Sequence, residues 1–516
     1  MDQKQVVIIG AGISGLVACK YRLSKGLNPV IFESSGDIGG VWAKTIRTTR
    51  LQTFKGMYQF MDFPWPSSVT EDYPTQKQVL EYIHSYANHF DLFKHIQFQS
   101  VVKEIDYQGS SNSMWSSWNG IKGTFLQGKW KVTVQNGQSQ PPSTKVFDAD
   151  FVILCVGRFK DVPNIPEFYP GTGPEIFKGD VIHSMEYSAM DHEKAEDFVE
   201  GKKVVVVGFQ KQGLDIAMEC SSVNGPENPC TVVYRKDRWK INDFSVWGIP
   251  LQYLYLNRFS ELLVHKPGQT FLLGLLATLL SPLGWVISKL VETYIKIKLP
   301  LAKFNMVPEC NFSKDARSCL LARLPDGFFN RVETGSILLK KSPSFSFHKD
   351  GILIDGENKP IDTDIVILAT GFKGIQKLKN LFTSQDYGNF ISASPDSRAA
   401  FYRECIHPRI PQLGIIGFSE SFSNLFTSEI RCKWLVELID GNVKLPSIED
   451  MEKDISNWDK YLKNSSGKYH QRSCIAALDI WYNDQLCKDM GWNPRRKNGF
   501  WADLFQPYGP MDYANP

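Results

Sequence analysis

Short apolar, β-branched runs recur along the chain: Val6–Ile9, Val30–Phe32, Phe151–Val156, Val204–Val207, Thr231–Tyr234 and Ile365–Ala369. Such runs lack polar alternation, so they predict strands covered on both faces, as in a parallel sheet. Between them lie segments of helical period. Over 76–90 the apolar positions are Val79, Tyr82, Ile83, Tyr86 and Phe90, which form one buried stripe. Ile13 to Ser24 and Leu214 to Cys220 read as helices following a strand and a glycine turn. Trp130–Val134 alternates apolar and polar residues, as a half-buried strand does. Strand, helix and strand repeating in this order predict an α/β fold.

The turn after the first run is Gly10-Ala11-Gly12-Ile13-Ser14-Gly15, which fills G-x-G-x-x-G. Gly10 suits the tight turn, Gly12 the approach of a pyrophosphate, and Gly15 close helix–sheet packing. The helix that follows aims free N–H groups at that phosphate. Glu33 ends the next strand, placed to accept hydrogen bonds from ribose hydroxyls. Gly39-Gly40-Val41-Trp42 follows, with room for a second close approach and Trp42 as a flat wall.

A second unit opens at Gly201. Four valines lead into Gly208-Phe209-Gln210-Lys211-Gln212-Gly213, with Gln210 in place of the middle glycine. The next strand ends in Arg235 where the first ends in an acid. An arginine there suits a 2′-phosphate, so NADPH is expected at this turn. Lys211 is either a phosphate contact or a solvated loop lysine. Ile365–Gly371 repeats the grammar of Phe151–Gly157, which suggests a second crossing of the first sheet region. The expected organisation is two Rossmann-like dinucleotide-binding domains, the NADPH domain inserted in a discontinuous first domain. Its boundaries are 1–172, 173–340 and 341–516.

The most apolar stretch, Thr270–Ser288, approaches the ~20 residues of a membrane span, but Gly274, Pro282 and Gly284 interrupt it. A buried helical hairpin, a membrane-surface patch and a span all remain open. The net charge of +3 gives no ground for a nucleic-acid partner. None of the 10 cysteines forms a C-x-x-C pair or a metal spacing, so free thiols in a reducing compartment are expected and a metal is not. The first strand begins at once, without a charged leader or apolar signal core, which leads us to expect a cytoplasmic protein. Peripheral contact with the endoplasmic reticulum surface through 270–288 is the alternative. The oligomeric state is left open.

Phe177-Lys178-Gly179-Asp180-Val181-Ile182-His183-Ser184-Met185-Glu186-Tyr187 matches F-x-G-x-x-x-H-x-x-x-Y, and Asp364–Phe372 carries a late A-T-G-F segment. With the two nucleotide units on either side, the chain resembles the flavin-containing monooxygenases of plants. The resemblance implies FAD at Gly10, Gly12, Ser14, Gly15, Glu33, Gly39, Gly40, Val41 and Trp42. It implies NADPH at Gly208, Lys211, Gly213 and Arg235, with Thr370 and Gly371 beside the cofactors. It further implies that reduced flavin takes up O2 as a C4a-hydroperoxide and passes one oxygen atom to an amine nitrogen or a sulfur of a small metabolite. Many relatives carry an asparagine after the G-G-x-W loop. This chain has Leu51-Gln52-Thr53 there, so Gln52 or Thr53 is the expected substitute. His183 and Tyr187 either orient cofactor and relay protons or only fix the interdomain linker.

Two other readings stay open. A Baeyer–Villiger ketone monooxygenase is disfavoured by Tyr187, where those relatives tend to have tryptophan. A catalytically impaired nucleotide-binding protein is favoured slightly by Gln210 and the missing asparagine. A disulfide reductase lacks its cysteine pair. The aromatic stretch Trp239–Tyr255 and the apolar 270–288 segment suggest a largely apolar substrate cavity.

Overall fold

The computed structural model describes residues 4–109, 128–137, 143–392 and 397–515. Within them, two parallel five-stranded sheets are built from β1 (Val6–Ile9), β2 (Val30–Phe32), β3 (Ile96–Gln97), β4 (Phe151–Leu154), β5 (Asp180–His183), β6 (Val204–Val207), β7 (Cys230–Tyr234), β8 (Ile337–Lys341), β9 (Ile365–Leu368) and β10 (Leu413–Ile415). The helices that matter for the site are α1 (Ile13–Leu23), α2 (Gln76–His89), α3 (Lys211–Asn224), α4 (Phe271–Lys298), α5 (Phe312–Arg317) and α6 (Asn424–Ile439).

The first sheet has the order β10-β4-β1-β2-β3 and the second β8-β7-β6-β9-β5. All residues of β1, β4, β6 and β9 are buried, as strands covered on both faces must be. Each glycine turn leaves the central strand, β1 or β6, where the strand order reverses. That is where doubly wound sheets bind nucleotides. The alternating segment is also found: Trp130, Val132 and Val134 are buried in an antiparallel three-stranded sheet. In α2 the Thr75 hydroxyl accepts the Gln78 N–H while the Gln78 side chain accepts the Thr75 N–H, a capping box that fixes the helix start.

All strands of the second sheet fall in sequence between β4 and β10 of the first. The chain crosses to the second unit through 162–164 and returns through 370–373, and these segments lie side by side. The Asn164 N–H donates to the Gly371 carbonyl (2.9 Å) and the Lys373 N–H to that of Val162 (2.8 Å).

Three expectations need correction. First, Ile365–Leu368 does not return to the first sheet. It pairs with Val204–Val207 and Asp180–His183 in the second, and Leu413–Ile415 is the strand that returns. The echo of Phe151–Leu154 is real, but it marks equivalent places in two sheets, because β4 flanks β1 as β9 flanks β6. Second, Phe271–Lys298 is no buried hairpin. It is one helix running through Pro282. Its buried residues, Ala277, Ser288, Val291, Glu292 and Ile295, form a narrow stripe against the second unit. Phe271, Leu272, Leu279, Trp285, Leu290 and Ile297 are exposed, Phe271 to 83%. Third, not all cysteines are free: Cys319 and Cys474 form a disulfide, and the other eight are unpaired.

Candidate cofactor and substrate sites

The first turn has the shape its sequence requires. Gly10 is left-handed at φ 103°, and a Cβ there would sit 2.6 Å from the Cys155 carbonyl oxygen. A Cβ on Gly15 would lie 1.9 Å from the Gly10 oxygen. Gly12 starts α1 and faces Gly40, so two glycine backbones meet with no side chain between them; a Cβ on Gly40 would be 3.1 Å from the Gly12 Cα. The Gly39 N–H donates to the Ala11 carbonyl (3.1 Å) and joins the loops.

Glu33 is buried at the end of β2. Its Oε2 accepts the Ala11 N–H (2.7 Å), and its Oε1 accepts the Ser35 N–H (2.9 Å) and hydroxyl (2.7 Å). Burial works to raise its pKa, but these hydrogen bonds outweigh burial and hold it below the ordinary carboxylate value. Glu33 therefore fixes the turn as an anion, and Oε2 keeps an acceptor position for a ribose hydroxyl. Trp42 donates its indole N–H to the Tyr58 hydroxyl (2.7 Å), and Val41 is exposed. Ser14 turns the other way, toward α6, where its hydroxyl meets that of Ser428 (3.3 Å).

The second turn copies the first. Gly208 is left-handed at φ 135°, and a Cβ there would lie 2.3 Å from the Ala369 oxygen. A Cβ on Gly213 would be 2.4 Å from the Gly208 oxygen. Ala369 follows β9 as Cys155 follows β4, so the same crowding requires the same glycines. The middle position demands no such freedom: Gly12 has φ −73° and Gln210 φ −106°, both open to any residue. Gln210 thus costs the turn nothing in backbone conformation. Arg235, one residue beyond β7, is exposed and makes no ion pair or hydrogen bond among the described residues, and Lys236 beside it is exposed too. This pair of cations fits a 2′-phosphate. Lys211 is engaged elsewhere: its ammonium pairs with Asp215 (2.6 Å), whose other oxygen accepts the Thr49 hydroxyl (2.8 Å) from the first unit. Burial raises the Asp215 pKa against the pull of Lys211 and Thr49.

His183 ends β5 opposite Leu368, its ring edge-on to Phe372 (centroids 5.2 Å). Burial lowers its pKa, with the Gly371 backbone and Glu186 partly opposing, which keeps the imidazole neutral near pH 7. Its Nδ1 accepts the Met185 N–H (3.1 Å). Thr370 and Gly371 sit in the paired linker, where the Thr370 hydroxyl donates to the Asn164 carbonyl (2.5 Å). Tyr187 is not brought to this cleft. It lies fully buried in the core of the second unit near Cys220 and Glu219, where burial raises its pKa.

A small, partly open apolar pocket lies where the units meet. The first unit supplies Thr53, Phe54 and Met57, the second supplies Leu251, Tyr255, Phe312 and Leu321, and Phe422 completes the wall. The Thr53 hydroxyl donates to the Phe422 carbonyl (3.0 Å). The half-buried Gln52 makes no side-chain hydrogen bond among the described residues.

The family model described as "Flavin-binding monooxygenase-like" matches residues 3–503. The chain belongs to that family. It is 40% identical over 99% of its length to a probable flavin-containing monooxygenase 1 of Arabidopsis thaliana, covering 96% of that protein. It is 28% identical to the N-oxide-forming dimethylaniline monooxygenase 2 of Mus musculus, over 97% of this chain and 85% of that one. Among solved structures, a steroid monooxygenase bound to NADP superposes with a TM-score of 0.64 at 18% identity, over 95% of this chain and 99% of the other. The protein is an FAD- and NADPH-dependent monooxygenase with two nucleotide-binding domains, the second inserted in the first.

Two features of the site were not read from sequence. The Thr49–Asp215–Lys211 chain joins residues far apart in the chain, and only its Asp/Lys helical spacing was visible. Lys240, fully buried, donates to the Phe209 carbonyl inside the second turn (2.8 Å). Nothing in its sequence surroundings, Asp237-Arg238-Trp239-Lys240-Ile241-Asn242, set it apart from a solvated lysine.

Proposed function

We propose that this monooxygenase transfers one atom of O2 to a nucleophilic nitrogen or sulfur of a small, largely apolar metabolite held in the cavity between its units. The observation that carries this reading is the cavity itself, which is walled by aromatic and aliphatic side chains from both units. The name of the mouse relative, N-oxide-forming, agrees with nitrogen as an acceptor. When bound, the flavin supplies the oxygen chemistry, with NADPH as reductant.

In this reading Gly10, Gly12, Gly15, Gly39, Gly40 and Glu33 hold FAD, and Val41 and Trp42 border it. Gly208, Gly213 and Arg235 hold NADPH, and Lys211 braces the units through Asp215. His183, Thr370 and Gly371 set the linker geometry beside both cofactors, and the neutral His183 holds or passes a proton there. Tyr187 supports the fold of the second unit. Gln52, whose amide is uncommitted, takes the place of the missing asparagine; Thr53 shapes the cavity.

The partner proposed for α4 is a membrane surface. No charge falls between 270 and 288, and Lys266, Lys289, Lys296 and Lys298 flank that stretch. The helix is anchored to the protein through Ser288, Val291, Glu292 and Ile295 in its C-terminal half, with Ala277 buried nearer its start, so it lies flat in the interface and does not cross. Trp247 and Trp285, both exposed, suit the headgroup level.

The test is aerobic incubation of the FAD-loaded protein with NADPH and a mixed panel of amines, sulfides and ketones, read by mass spectrometry. N- or S-oxides are expected. Esters from ketones alone, or turnover without O2, would overturn the proposal.

A further inference from the structure

Cys319 and Cys474 stand 155 residues apart in sequence and are joined by a disulfide, with Cα atoms 5.7 Å apart. Each sits just behind one wall of the cavity. Cys319 follows α5 in left-handed backbone (φ 52°), between Ala316 and Leu321, which both line it. Cys474 lies beside the segment of Phe422. The Glu420 N–H donates to the Ser473 carbonyl (3.2 Å), and the Ile475 N–H donates back to that of Glu420 (2.8 Å). The bond therefore ties a wall from the second unit to a wall from the C-terminal segment.

Weaker links run alongside. Arg472 donates to the Cys319 carbonyl (3.0 Å) and pairs with Glu420. The Ser466 hydroxyl donates to the Arg317 carbonyl (3.3 Å), and Arg238 reaches the Tyr469 hydroxyl. Without the disulfide, these polar contacts and the packing of α5 against 448–466 and 476–478 would hold the rim.

We propose that Cys319–Cys474 is a reversible redox modification site that clamps the two walls of the cavity. This rests on the reading of that cavity as the substrate site. In a reducing compartment, a disulfide is more often regulatory than structural. Here the covalent link closes a long loop, which strongly restricts the chain, and cutting it frees the walls to move apart. The reductant is a dithiol whose two thiols are spaced to close an unstrained ring. One of its thiolates attacks a cysteine sulfur, the protein S–S bond breaks, and a mixed disulfide forms. The reductant's second thiol then displaces the protein sulfur. Two electrons and two protons end on Cys319 and Cys474, and the reductant leaves as a cyclic disulfide. Cys319 is half-buried and Cys474 buried, so attack comes from the Cys319 side.

The test uses the full-length, FAD-loaded protein purified in air without reductant. Free thiols are alkylated and mapped by peptide mass spectrometry. Hydrogen exchange and H2O2 released per NADPH consumed are then compared before and after dithiothreitol. Cys319 and Cys474 are expected to resist alkylation until reduced. Reduction should speed exchange across 316–321 and 420–424, leave it unchanged in 6–23, and raise H2O2 yield severalfold. The Cys319→Ser protein should behave like the reduced form and ignore dithiothreitol. Both cysteines alkylated even after treatment with oxidised glutathione would overturn the proposal. So would a bond whose reduction changes neither exchange nor H2O2 yield. A protein that never oxidises NADPH would instead defeat the functional reading, while the thiol map and exchange would still judge the clamp.

Discussion

Replacing Arg235 with alanine tests the second nucleotide site at its most specific point. The side chain is exposed and unpaired among the described residues, so its loss should change folding stability by no more than about 0.5 kcal/mol. A charge-assisted contact to a 2′-phosphate is worth about 1.5–3 kcal/mol. At ~1.4 kcal/mol per decade, kcat/KM for NADPH should fall by about 10- to 150-fold. NADH has no 2′-phosphate, so its kcat/KM should stay within about twofold, and the preference for NADPH should shrink by the same factor. The assay is initial-rate oxidation of each nucleotide over a range of concentrations, with FAD content and melting temperature as controls. An NADPH value unchanged in the variant, or an equal fall for both nucleotides, would refute the assignment. Lys236, also exposed, is the residue to change next if the loss is partial.

Other outcomes follow from the same geometry. Gly15→Ala should lose FAD, whereas Gly213→Ala should keep FAD but lose reduction by NADPH, because each added Cβ would collide with its own turn, at 1.9 Å and 2.4 Å; absorbance and anaerobic reduction separate the two. Burial lowers the Lys240 pKa to about 7, with Asp315 and Asp237 opposing and Arg238 adding to the effect. The unfolded chain then binds more protons between pH 7 and the ordinary lysine value, so stability should rise with pH across that window. Lys240→Met should abolish that rise, as read by denaturant unfolding at several pH values, and should weaken NADPH binding by freeing the Phe209 carbonyl. The double change Leu272→Glu, Leu279→Glu should abolish sedimentation with vesicles of phosphatidylcholine and phosphatidylserine while NADPH oxidation continues at the parental rate.

What could be read from sequence was local. The run from Val6 to Glu33 declares strand, turn, helix and acid within one unit, and the structure keeps each in place. The second turn was legible despite Gln210 because that position has ordinary backbone, whereas Gly208 and Gly213 carry the steric demand and are present. Partner choice was not legible. Ile365–Leu368 announces burial on both faces but not its sheet, and equivalent strands of two similar sheets look alike. The 270–288 stretch showed its apolarity but not its exposure, since a narrow stripe of contacts is enough to dock an apolar helix. Tyr187 matched a motif, yet a fingerprint position does not say whether a side chain faces a cleft or a core. Cys319 and Cys474 have no local signature and meet only through the tertiary fold.

The central claim is that two like-built glycine turns bring FAD and NADPH into electron transfer ahead of O2. The most direct measurement is anaerobic rapid mixing of the FAD-loaded protein with NADPH or NADH, followed by admission of O2. Flavin absorbance should bleach quickly with NADPH and slowly with NADH, then return as O2 is consumed. A protein that takes up no FAD, or whose bound flavin stays oxidised in excess NADPH, would contradict the account.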